Sequence, residues 1–191
     1  MEKARPLPDA TVRKQFLQAV SDTQQRAEVV LKSNPNDRQA LFALCAVSAI
    51  STDYMALVEK RQMSSLASAR RANAYAQRLL KLDPKFYDAY LTAGFSEYMI
   101  GSLPFFIRWF IHFDNVDGNK QRGIDNLELV AREGHYLKPL AKIFLGIIDL
   151  REKKPQEARR LLAELVHDYP RNPLYRKELE KLNGKLAVPA D

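Results

Sequence analysis

An all-α fold is predicted for this chain by three observations. Glycine is scarce, 7 in 191 residues, while Ala, Leu, Lys, Arg, Glu and Gln dominate, a composition that favours helices over a turn-rich sheet protein. Prolines punctuate long helical patterns at Asn34-Pro35, Asp83-Pro84 and Tyr169-Pro170, and proline cannot continue a helix. Small residues also recur at fixed distances from those prolines, the mark of an internal repeat. The length suits one domain, and a hydrophobic content of 46% suffices for a core without disulfides or metals.

Residues 1–9 are short, polar and hold two prolines, so they read as a tail and not as a signal peptide. The chain is expected in the cytoplasm if it is complete, and in the periplasm or envelope if a leader has been removed. A single helical domain is expected over 10–186, with 187–191 as a second tail. Its first element is the amphipathic run 16–31, closed by Pro35. Ala40 follows Pro35 by five residues, as Ala89 follows Pro84, and Leu41, Leu44 and Cys45 match Tyr90, Ala93 and Gly94 at equal offsets. Between them, 51–66 has neither glycine nor proline and reads as extra turns on two helices, the second running over 66–82. Asp114-Asn115-Val116-Asp117-Gly118 looks superficially like a calcium loop. With Gly118 at the turn position, however, Phe113 and Ile124 fall where carboxylates are needed, so the segment reads as a turn and the cap of a helix over 119–133. Ala141, Leu145 and Gly146 open a third copy, 158–166 completes it, and 174–186 forms a closing helix.

From Ala141 to Pro170 the chain resembles a tetratricopeptide repeat, a helix pair of about 34 residues. Gly146 is followed after 12 residues by Ala158, and Ala158 after 12 by Pro170, in the register of that family. The same step separates Ala72 from Pro84 and Thr23 from Pro35. Small residues let paired helices approach closely and proline ends the second helix. This sequence departs from the family between helices, with 27 residues from Cys45 to Ala72 and 29 from Gly94 to Gly123, so two repeats carry insertions. Lys142 also stands where an aromatic is usual. The resemblance implies an α-solenoid of antiparallel helix pairs, a right-handed superhelix of about three repeats plus terminal helices.

The formal net charge of +7 could point to nucleic acid or an anionic surface. The cations stand beside acids on helical faces, as in Arg151-Glu152-Lys153-Lys154, so no nucleic-acid partner is expected. The single cysteine, Cys45, excludes an internal disulfide and sits in an apolar run. His112, His135 and His167 are too dispersed for a metal pair, and no phosphate loop, dinucleotide fingerprint or serine elbow occurs. Neither an enzymatic activity nor a cofactor is expected. No run of apolar residues reaches the length of a membrane span, so no transmembrane segment is expected either, although peripheral contact stays open.

Residues 103–113 hold five aromatics, with Phe105, Trp109 and Phe113 on one helical face broadened by Phe106 and Phe110. Burying each large side chain is worth roughly 1.5–3 kcal/mol, so the segment needs a cover: the core, a partner or a membrane interface. The resemblance implies that first-helix residues line a concave surface, here Asp88, Leu91, Phe95 and Tyr98, then Leu140, Ile143, Ile147 and Leu150. The expected site is an apolar groove of Leu91, Phe95, Tyr98, Ile143, Ile147 and Leu150, with Phe106 and Trp109 from the aromatic insertion either filling it or leaving it open to a protein or peptide. Phe42, Ala46, Leu91 and Phe95 occupy the places where relatives that clamp a terminal carboxylate carry lysine and asparagine. The expected role is that of an interaction module or scaffold. The alternative is an envelope-associated or transport-accessory solenoid holding a lipid or small apolar ligand in a cavity.

Overall fold

The computed structural model describes residues 9–104 and 117–187. They form eight α-helices and no strand: α1 (Ala10–Ser33), α2 (Arg38–Asp53), α3 (Gln62–Leu82), α4 (Tyr90–Gly101), α5 (Lys120–Glu133), α6 (Lys138–Arg151), α7 (Pro155–Asp168) and α8 (Pro173–Ala187). They gather into two compact units, one reaching Thr92 and the other starting at Ala93.

In the first unit, Asp9 caps α1 by accepting from the backbone N–H groups of Thr11 and Val12, and Asp37 caps α2 by accepting from that of Ala40. Pro35 and Pro84 follow the ends of α1 and α3, as the punctuation predicts. Helix α2 packs between α1 and α3. Ala27, Ala40 and Leu44 form one core cluster, and Leu41, Leu79 and Ala89 another, with Leu31 and Tyr75 packed against both. Cys45 and Ala72, the expected small-residue pair, are both buried on the packed helices α2 and α3. Arg38 and Asp83 close the foot of the hairpin at 2.6 Å, and Arg78 donates to the Pro35 carbonyl.

The long hairpin expected around 51–66 is present, with a finer structure than periodicity suggests. Helix α2 widens into one π turn, Tyr54–Val58, and the chain reverses through Glu59, Lys60 and Arg61. With no glycine available, Lys60 itself adopts a left-handed backbone, φ 58°. The sequence expectation that nothing is long and apolar enough to cross a bilayer is corrected here. From Arg38 to Val58 the helix runs 21 residues unbroken and meets both criteria. Apart from Asp53, the polar interruptions within the run are small hydroxyls, two of which satisfy themselves: Ser51 donates to Val47 O and Thr52 to Ser48 O. The same test is passed by a core helix, and Leu41, Leu44, Cys45 and Val47 of this one are buried.

In the second unit α5 packs on α6, α6 on α7 and α7 on α8. Gly94 and Gly123 bring α4 against α5: a Cβ on Gly123 would stand 2.7 Å from Gly94 O and 2.6 Å from Tyr98 N. The third pair differs from expectation. A Cβ on Gly146 meets nothing within 4 Å, so this glycine is not where α6 approaches α7. That contact is made by larger groups: Lys142 bridges to Glu164 and Asp168 of α7 at 3.1 and 2.8 Å, while Ala158, Leu161 and Leu165 are buried. The lysine in the usual aromatic place thus ties the pair electrostatically. Asn119 caps α5, as the turn before it predicts, by accepting from Arg122 N–H.

Candidate functional site

Helix α6 carries an apolar stripe at helical spacing, Ile143, Ile147 and Leu150, with Phe144 beside it. Phe144 stacks on Phe95 of α4, ring centroids 4.5 Å apart, which joins the two helices. One turn on, Met99 of α4 meets Arg151 of α6, Nη1 to Sδ 3.8 Å. The result is a two-helix strip, Phe95 and Met99 on one side, Phe144, Ile147 and Arg151 on the other, with Leu150 at its border. Ile147 and Leu150 are 52% and 48% exposed, so this is surface and not core.

The expected residues divide accordingly. Phe95 and Ile147 stand on the strip with Leu150 at its border, and Ile143 lies one turn before Ile147 on the same helix. Tyr98 is corrected from groove to core: it is 1% exposed, its hydroxyl donates to Glu152 at 3.0 Å, and Arg151 and Lys120 lie over its ring. Leu91 is buried in the first unit, as is Asp88, so neither offers a side chain to a ligand. Leu140 is half-buried. Phe106 and Trp109, with the rest of the aromatic run from Phe105 to Phe113, lie outside the described residues. Met99 and Arg151 were missed by the sequence argument, though the signal was present: each stands four residues after a member of the strip, Phe95 or Ile147.

Electrostatics frame one end of the strip. Lys120 pairs with Glu152 at 2.9 Å, and these two with the Tyr98 hydroxyl hold the end of α4 near the start of α5 and the end of α6. Lys120 and the Tyr98 hydroxyl hold the Glu152 carboxyl below its ordinary range. Arg151 has no described carboxylate within 4 Å; its guanidinium rests on the Tyr98 ring and the Met99 thioether. Lys153, in a left-handed turn with φ 60°, and Lys154 extend this positive end.

Below the strip, Glu97 is almost fully buried and acts as a clasp. Its carboxylate accepts from Asn119 N–H at 2.8 Å and from Arg122, which also pairs with Asp117 at 3.0 Å. Gly101 lies against Gly118: a Cβ on Gly101 would stand 2.6 Å from Gly118 O, and Gly118 has φ 72°. The last turn of α4 and the first of α5 are therefore stitched together where the chain leaves and returns around 104–117.

On another face of this unit, α5, α6 and α7 enclose an open cleft of about 490 Å³. Its floor includes Leu145, Ile148 and Leu161, and its rim is charged, with Glu128, Asp149 and Lys154 among the lining. Burial, with Glu157 and Glu128 near, raises the Asp149 pKa against the opposing pull of Lys154 and Arg160. No group of three or more His, Cys, Asp or Glu able to hold a metal occurs among the described residues. Comparison of the chain with protein-family models, with curated proteins and with solved structures found no match.

Proposed function

We propose that this chain is a non-catalytic interaction module of the tetratricopeptide type, in which α2–α3, α4–α5 and α6–α7 act as three repeats and the α4–α6 strip receives an amphipathic helix of a protein partner. The observation that carries the reading is the exposed apolar row of Met99, Ile147 and Leu150, continuous with the Phe95–Phe144 stack and ended by Arg151, which has no carboxylate within 4 Å among the described residues. Such a row loses solvation free energy in water and regains it under the apolar face of a helix. Arg151 would favour an acidic residue at the matching end of that helix. The close approach of Gly94 and Gly123 supports the repeat reading, since it reproduces the small-residue contact that the family requires. The alternative, a ligand held in an apolar cavity, draws no support from the α5–α7 cleft, which is open and rimmed by charge.

The test is selection of peptides from a random library on the full chain, followed by binding to the Ile147→Asp/Leu150→Asp variant. Both positions are exposed, so the variant should keep its circular dichroism. Selected peptides should be amphipathic and bind the variant at least about tenfold more weakly, the weight of one lost contact of about 1.4 kcal/mol. Equal binding by the folded variant would sink the reading.

A further inference from the structure

The α2–α3 hairpin ends in an apex that an ordinary soluble turn does not need. Met63 and Leu57 are the two most exposed large apolar side chains among the described residues, at 80% and 72%, and they flank the same turn. Ile50, seven residues before Leu57 on the same rod, and Val12, near the start of α1, are also exposed. Between Leu57 and Met63 the exposed positions are Lys60, Arg61 and the uncharged Gln62. The one carboxylate of the turn, Glu59, does not face outward. Its side chain is 14% exposed and lies between Arg13 at 2.6 Å and Arg61 at 3.4 Å.

The apex is also braced. Arg13 of α1 donates to the Tyr54 hydroxyl at 3.0 Å as well as to Glu59, and Phe16 packs on the Tyr54 ring with centroids 4.6 Å apart. Helix α1 thus supports the π turn from behind. A π turn and a lysine at φ 58° are each unfavourable alone, and here they coincide in the turn that projects Leu57 and Met63.

We propose that this apex docks on an anionic lipid bilayer, with Leu57 and Met63 entering the acyl boundary and Lys60 and Arg61 at the level of the headgroups. Long cationic side chains beside projecting apolar ones suit that boundary, because their stems lie in the apolar layer while their charges reach the phosphates. A protein partner fits the apex less well. A stable protein interface needs roughly 800 Å² from each side, and a convex tip of seven residues, 57–63, supplies little area, whereas a bilayer takes in whatever protrudes. This inference concerns the first unit and does not rest on the α4–α6 strip.

The test is sedimentation of the full chain with vesicles of phosphatidylcholine alone or mixed with phosphatidylglycerol. Wild type should sediment with the mixed vesicles and only weakly with the neutral ones. The Leu57→Ser/Met63→Ser variant should need at least about tenfold more lipid for half-binding. Lys60→Gln should weaken binding to the mixed vesicles alone, and Leu174→Ser, at an exposed site on α8, should change nothing. Circular dichroism would check that each variant keeps its helix content. The proposal is overturned by no sedimentation of wild type, by equal sedimentation with neutral vesicles, or by undiminished binding of the double variant. It is overturned as well if the lipid-free chain self-associates and the double variant does not, which would make the apex a contact between copies.

Discussion

A single added methyl group should separate glycines that look equivalent in the sequence. Gly123→Ala forces a Cβ to within 2.7 Å of Gly94 O, a backbone atom that cannot swing aside, and should cost about 1–3 kcal/mol. Gly146→Ala meets open space in the middle of α6 and should stabilise by about 0.5–1 kcal/mol through helix propensity. Urea denaturation of both variants checks the pair, and a loss at Gly146 equal to that at Gly123 would contradict the packing. Spacing to the next proline marked both residues, but spacing cannot tell a glycine required by contact from one that is tolerated. Asp149 offers a second residue-scale prediction. Its folded pKa is raised, so the folded chain holds that proton more tightly than the unfolded one, and stability falls as pH rises from the ordinary aspartate value through the folded value. Asp149→Asn should therefore raise the melting temperature at pH 7, with the gain vanishing below about pH 4. Cys45, pushed up to about 11 by burial, should react with iodoacetamide at pH 8 roughly 100-fold more slowly than in the unfolded chain.

At the scale of the element, helix ends were the most legible feature. Pro35, Pro84 and Pro170 each follow a helix as predicted, because the missing N–H and the fixed ring act locally and need no tertiary context. The turn between α2 and α3 was not legible in detail. It has no glycine or proline, and its left-handed lysine is imposed by packing of the two long helices and by the Arg13 brace. The stripe on α6 was legible from period, whereas the burial of Leu91 and Tyr98 was not: matching a residue to a family position assigns it a helical face, and its neighbours decide whether that face is open. The Glu97 clasp also depends on groups far apart in sequence, at Asn119 and Arg122. Glu97→Gln keeps the shape but gives up the charge that Arg122 needs, and should destabilise the second unit by about 1–3 kcal/mol. Thermal denaturation with Glu97→Asp as a comparison checks this, and an unchanged midpoint would dissociate the carboxylate from the joining of α4 and α5.

For the whole molecule, composition sufficed for the class. Scarce glycine and abundant helix formers led to helices, and helices are what the described residues form. The division at Thr92 and Ala93 had no counterpart in the sequence, since it falls inside α4 and no linker composition marks it. Two compact units predict two sets of slowly exchanging amides under native conditions. One should centre on Leu41 and Leu79, the other on Leu127 and Leu165, all fully buried. Native-state hydrogen exchange in rising denaturant should resolve the sets into separate opening free energies; one common value for all four sites would mean a single cooperative body. Stitching Gly101 to Gly118 has a consequence for how such a chain can change over time. Neither position has room for a Cβ, since one on Gly101 would meet the Gly118 carbonyl and one on Gly118 would meet Ile100 and the Gly101 amide, so drift to alanine at either residue pries the two helix ends apart and no change at a single neighbour relieves it.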